Sequence, residues 1–399
     1  MCVSRRAFLK TAAVTAGALL VPPALARRAH AAGGERVVVA LFLRGAADSL
    51  NIVVPYGDPF YTQVRPTIAV PRSTLLDLDG FFGMPPTMAP LLPAYQAGRL
   101  AVVHATGSPD PTRSHFDAQD FMERAAPSDF SVYDGWLNRT LLAAGATQSL
   151  SGVTIGGAKA LALAGSAPSM NFYSLSSYKL SGAYGTERRA ALQTMYQSVA
   201  ATLVGRSSGE LFQSLDNVAA IQNTSTVPYP NTGLARTLRD VAALIRADVG
   251  VRAVAISMGG WDHHEREPEN MARVLPELAG ALAAFDQDLG AAQGRTLLVT
   301  MTEFGRTVEE NGSAGTDHGH GSLAFVLGGG IHGGRVLLKD GQWPGLAPAQ
   351  RFESRDLQVT TDFRDLWAEI LDRHMGLPEV APVFPRHAVS PSNYPGLFA

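Results

Sequence analysis

This 399-residue sequence predicts an α/β layered fold with a mainly parallel central sheet. Two observations carry that prediction. Short apolar runs of β-forming residues recur at Val37–Leu43 (VVVALFL), 100–104, 251–257, 297–299 and 323–327. Segments with helical periodicity lie between several of them, and strand–helix–strand order favours parallel pairing.

Taken in order, the run at Val37–Leu43 reads as a central buried strand, since no polar residue interrupts it. It ends in Arg44-Gly45-Ala46-Ala47-Asp48, whose small residues allow a tight turn and place Asp48 just past the strand. Pro-rich loops follow at 55–66, then a helix around 88–98 and a strand at 100–104. The loop 104–119 contains Arg113-Ser114-His115, and Ser114 stands where a helix toward Arg124 would begin. Residues 187–219 read as helical with a break at Gly205–Gly209. A helix at 234–247 leads to the strand at 251–257, which delivers Trp261-Asp262-His263-His264. Another helix, 269–289, precedes the strand at 296. A final helix begins near Thr361-Asp362 and runs to about His374.

Composition narrows the class. With 46% hydrophobic and 17% charged residues the chain can bury a large core, which excludes a disordered polymer. Arg5-Arg6, the weakly apolar segment 11–20 and the exits Ala24-Leu25-Ala26 or Ala29-His30-Ala31 form a twin-arginine export signal over residues 1–31. The bland alternative is a basic anchor helix, though its apolar run is short for a bilayer. The expectation is therefore a periplasmic or extracellular protein exported folded, with the twin-arginine translocase as a transient partner. Residues 32–399 would form a single domain, with room for an inserted cap around 135–226. Removing residues 1–31 takes away five Lys and Arg, leaving 28 basic against 35 acidic residues, a balance of −7. That balance disfavours nucleic acid or an anionic membrane as partner. The one cysteine, Cys2, leaves with the signal, so any metal must sit on histidine and carboxylate.

The stretch 296–334 concentrates the candidates. Glu303 follows one strand, while His318 and His320 stand just before another. Asp48, Asp262 with His264, and Glu303 each follow a predicted strand, and carboxyl ends of parallel strands share one edge of a sheet. Asp48, Asp262, His264, Glu303, His318 and His320 are thus the candidate metal ligands. Imidazole and carboxylate suit zinc, manganese or iron, with calcium and magnesium kept as further candidates. Each residue alone is as readily a cap or a surface group. Ser114 reads either as a helix cap or as a nucleophile, with Arg113 beside it able to hold a phosphate or sulfate oxygen. A serine-hydrolase elbow is the rival, but Gly-x-Ser-x-Gly is absent, and Ala255-Ile256-Ser257-Met258-Gly259 leads into a loop. The glycines at 328–334 read as turns because the phosphate-loop spacing and lysine are missing.

The segments LRGAADSLNIVVPYGDPFY, DPTRSHFDAQDFMER, GGWDHHE, TMTEFGRTVEENGSAGTDHGHGSLAFVLGGG and TTDFRDLWAEIL together resemble the bacterial domain of unknown function family 1501. More distantly the chain resembles the alkaline phosphatase and sulfatase superfamily. That likeness implies an alkaline-phosphatase-like three-layer α/β/α sandwich with metals at one sheet edge. By motif, Asp48 looks like its first-strand ligand, Ser114 its nucleophile, Asp262 and His264 its Asp/His pair, and His320 its last histidine. Two departures stand out: Asp262-His263-His264 is more closely spaced than the usual pair, and Glu303 is followed by Phe304 where histidine is expected. A second metal would then be absent, differently bound, or supplied by His318 or His115. The resemblance implies an exported metal-dependent hydrolase of phosphate or sulfate esters, acting on a small molecule. The alternative is a non-catalytic exported binding or assembly protein that retains the fold.

Overall fold

The computed structural model describes residues 34–180, 185–221 and 225–398; the expected export signal lies outside the described residues. The main sheet contains β1 (Val37–Leu43), β2 (Leu100–Gly107), β3 (Gly152–Ile155), β4 (Ser169–Phe172), β5 (Ala253–Met258), β6 (Thr296–Met301), β7 (Ser322–Gly328), β8 (Val336–Leu337) and β9 (Thr361–Asp362). Their order is β8-β2-β7-β6-β1-β5-β3-β4, and β9 also pairs with β2. β1 is central, in parallel register with β5 on one side and β6 on the other. Among these strands β7 alone is antiparallel to its neighbours.

That one reversal matters for the site. A strand running against the rest begins where the others end, so the residues before β7 reach the edge at which β1, β5 and β6 terminate.

Period-two alternation divides β1 between two cores. Val37, Val39, Leu41 and Leu43 face one layer, packed with residues of the helices at Gly233–Arg246 and Glu267–Asp288. Val38, Ala40 and Phe42 face the other, which contains Trp136, Leu141, Leu366 and Trp367. The result is a three-layer α/β/α sandwich with a mainly parallel central sheet. The longer helices are α1 (His115–Arg124), α2 (Trp136–Ala143), α3 (Gly185–Gln197), α4 (Leu203–Ala220), α5 (Gly233–Arg246), α6 (Glu267–Asp288) and α7 (Phe363–Glu369). α5 shows why sequence selects this packing: Leu234, Leu238, Val241, Ala242 and Ile245 form one buried stripe, and the Thr232 hydroxyl accepts from Ala235 N at its start.

Two expectations from the chain order change. The break expected at Gly205–Gly209 falls earlier, because Thr202 caps α4 by accepting from Gly205 N at 3.2 Å, and the glycines then continue the helix. β3 and β4 were not foreseen, since GVTI and SMNF are four-residue segments at one end of the sheet with little apolar signal. Among the described residues, no helix is long and apolar enough to cross a membrane.

Candidate metal centre

Four loops meet at the shared edge, the one between β6 and β7 twice. Arg44 and Gly45 follow β1, Asp262 and His264 follow β5, Glu303 and Arg306 follow β6, and Thr316–His320 precedes β7. Ser114 and His115 begin α1 after the β2 loop. Close approach between these loops requires glycine at two places. A Cβ on Gly45, which has φ +116°, would stand 2.6 Å from Asp262 N. One on Gly315 would stand 2.3 Å from the His264 carbonyl carbon.

Three imidazoles converge on the Asp262 carboxylate. His264 Nε2 lies 3.1 Å and His318 Nε2 3.3 Å from Asp262 Oδ1, while His115 Nε2 lies 3.5 Å from Oδ2. Every one of these rings has its other nitrogen on an oxygen acceptor. His115 Nδ1 donates to Glu303 Oε1 at 2.9 Å, His264 Nδ1 to Asp317 Oδ1 at 3.0 Å, and His318 Nδ1 to the Arg113 carbonyl at 2.9 Å. Those acceptors assign the ring proton to Nδ1 and leave Nε2 as a lone pair aimed at the common point. His115 Nε2 is buried and has no hydrogen-bond partner. Ligand atoms of His115, Asp262 and His318 all fall within 4.8 Å of one another. Lone pairs gathered this way repel one another unless a cation lies among them, so the donor set fits a metal. Imidazoles oriented by carboxylate or carbonyl acceptors are the usual outer shell of such a site.

The carboxylates of the cluster are held in their charged form. Burial pushes the Asp262 carboxyl up, but the bond and charge of Arg306, with His264 and His115, hold it at about 2. Burial also opposes ionisation of Glu303, yet bonds from His115, Gln119 and Gly45 bring it below the usual range. His115 is raised, chiefly by its bond to Glu303, whereas burial lowers His318.

Arg306 anchors the loops. Its fully buried guanidinium donates to the carbonyls of Ala46, Gly45, Thr316 and Trp261 and to Asp262 Oδ1 at 2.6 Å. It thereby ties β1, β5 and the segment before β7 to one cation.

The remaining expected residues occupy different places. Asp48 is buried and binds Arg65 through both oxygens, at 2.5 and 3.0 Å. Arg65 and Glu267 complete a buried network in which Glu267 accepts from Asn51 at 2.9 Å and Thr316 at 2.6 Å. Glu303 stands behind His115 and accepts its Nδ1 proton, so it orients a ligand. His320 is buried with its ring stacked on Phe352, at 4.1 Å between centroids. Arg113 pairs with Asp356 at 2.6 Å and Glu353 at 2.7 Å, and only its carbonyl touches the cluster. Ser114 caps α1, its hydroxyl accepting from Asp117 N at a long 3.4 Å. His115, named by the sequence only as a substitute, is at the centre. Gln119 and Arg306 were not singled out; no local pattern distinguishes them from surface residues.

The family model for the protein of unknown function DUF1501 matches residues 86–383. The chain belongs to this family. No curated protein matches it. Among solved structures, the DUF1501 chain is similar to the C-terminal periplasmic domain of EcEptC from Escherichia coli, with 12% identity, 90% of this chain and 89% of that chain covered, and a TM-score of 0.41. It is also similar to the lipoteichoic acid synthase LtaP from Listeria monocytogenes, at 8% identity over 77% and 68% of the two chains, TM-score 0.33. A 2-O GAG sulfatase matches at 9% identity over 75% and 65%, TM-score 0.35.

Proposed function

We propose that this chain is an exported metal-dependent hydrolase of phosphate or sulfate esters. The observation that supports the reading is the convergence of His115, His264 and His318 Nε2 on the Asp262 carboxylate, with every Nδ1 held by an acceptor. Three nitrogens and one carboxylate suit zinc, and manganese or iron next; calcium and magnesium prefer all-oxygen shells. Bound there, the cation would supply a Lewis acid toward an ester oxygen.

The side chains provide the rest. Asp262 and His264 are about half exposed, so the ligand set opens to solvent on one side. Ser114 lies between Arg113, whose carbonyl orients His318, and the ligand His115; in this reading its hydroxyl is the nucleophile. With the Arg113 guanidinium engaged by two carboxylates, the first-turn amides of α1 are the protein groups left to face equatorial charge on an ester. The ester class follows the motif resemblance at Thr112-Arg113-Ser114 and Asp262-His263-His264. Export through the twin-arginine route follows the Arg5-Arg6 signal.

One observation favours a second reading, an exported binding or assembly protein in which the metal is structural: Arg113 is already neutralised by Asp356 and Glu353. The test is elemental analysis of the protein exported through its native route, with hydrolysis of an aryl phosphate and an aryl sulfate. The hydrolase reading expects one divalent ion per chain and turnover that Ser114→Ala lowers at least about 100-fold, as loss of a nucleophile does. Tight metal without turnover would establish the second reading. Unchanged metal content in Asp262→Ala/His264→Ala would remove the ligand assignment altogether.

A further inference from the structure

We infer that Gln119 is a positioning residue for this centre, holding Glu303 and, through it, the ring of His115 in the state that leaves Nε2 free to ligate. The inference rests on the metal reading above. Residues four apart share a helix face. His115, Gln119 and Glu123 therefore form one stripe along α1, and that stripe lies on the ends of β1 and β6.

The contacts along it run in one chain. Glu123 Oε1 accepts from Arg44 Nη2 at 2.5 Å, and its Oε2 accepts from Ala162 N at 2.9 Å. Arg44 Nη1 donates to Gln119 Oε1 at 2.7 Å. Gln119 Nε2 donates to Glu303 Oε1 at 2.8 Å. Because a guanidinium cannot accept, Arg44 decides which end of the amide faces it, and the donor end must face Glu303. Glu303 Oε1 also accepts from Gly45 N at 2.8 Å and His115 Nδ1 at 2.9 Å, while Oε2 accepts from Thr302 Oγ1 at 3.0 Å. Each partner of this buried carboxylate is a donor. It accepts from His115 among them, so His115 carries its proton on Nδ1.

Reversing the polarity at position 119 breaks that logic. Gln119→Glu puts a second acceptor where Glu303 needs a donor, so the two acceptors repel and Glu303 loses its fixed place beside His115 Nδ1. Glu303 then holds the His115 Nδ1 proton less firmly, and the ring gains the tautomer whose Nε2 carries hydrogen and cannot ligate. Gln119→Met removes the donor without adding an acceptor, so its effect is smaller.

The experiment compares zinc affinity of the folded mature protein by competition with a chromophoric chelator, for wild type and both variants. Histidine-selective 15N spectra of zinc-free protein are recorded alongside. Gln119→Glu is expected to weaken zinc binding by about 10–100-fold, the range for lost outer-shell partners, and to raise the Nε2–H form of His115. Gln119→Met is expected to weaken it less. The inference is overturned if both variants bind zinc within twofold of wild type with an unchanged His115 tautomer. Equal loss in both, matched by equal loss of zinc-free thermal stability, would overturn it too, since that is a merely structural role. A wild type that binds no stoichiometric zinc would end the metal reading instead, and the spectra would still decide the link from Gln119 to His115.

Discussion

His264 and His318 bring their Nε2 atoms to 2.9 Å of one another while each Nδ1 faces an oxygen acceptor. Two neutral rings oriented this way have no proton to share between them. A bound cation resolves the contact, and removal of either ring is expected to weaken zinc binding by at least about 100-fold. Asp317→Ala, which frees His264 Nδ1, should cost about 10-fold, as outer-shell losses do. Chelator competition on the three variants tests this ranking; an Asp317 variant as damaged as the ring variants would contradict it.

Arg306→Met should be strongly destabilising. The guanidinium is fully buried, and its loss leaves four backbone carbonyls and the Asp262 carboxylate without it. Breaking such a buried arrangement costs about 3–5 kcal/mol. Urea unfolding measures the change, and a loss below about 1 kcal/mol would show that the loops hold together without this cation.

Glu267 gives the protein a pH dependence of known sign. Burial, then the charge of Asp48, raises its folded carboxyl above the ordinary value of 4.5, with Arg65 opposing. A raised folded value means the folded state binds the extra proton. Its contribution to stability is complete below about pH 4.5 and is lost as pH rises through the raised value. Glu267→Gln should flatten the fall in stability over that alkaline window, as read by denaturant midpoints at a series of pH values. An unaltered slope would place the proton elsewhere in the Asp48–Arg65–Glu267 network.

Burial separates two large hydrophobic residues. Leu41 is fully buried at the centre of the sheet, and Phe116 is 90% exposed beside His115. Leu41→Ala should cost about 2–5 kcal/mol, and Phe116→Ala should stay within about 0.5 kcal/mol. Thermal melts of the two variants test the contrast directly.

How much of this was legible depends on whether a residue's role is local. The apolar run VVVALFL could only be a buried strand, and the segments after β5 and β6 were recognisable as strand ends bearing Asp262, His264 and Glu303. His318 was legible for the same reason, standing just before an apolar run. By contrast, Glu303 and a metal ligand look identical in sequence. Its assignment as the acceptor for His115 Nδ1 depends on a contact across 188 residues.

The sequence by itself determined the layered α/β architecture, because periodicity and burial are properties of neighbouring residues. It also brought carboxylates and histidines to one edge, since parallel strands end together. Only the tertiary structure decided which of them face one another. The reversal of β7 carries His318 to that edge, Arg65 draws Asp48 into a buried pair, and Phe352 covers His320. The physical reason is that charge pairing and hydrogen-bond direction act between segments distant in the chain, and no local pattern records which partner arrives.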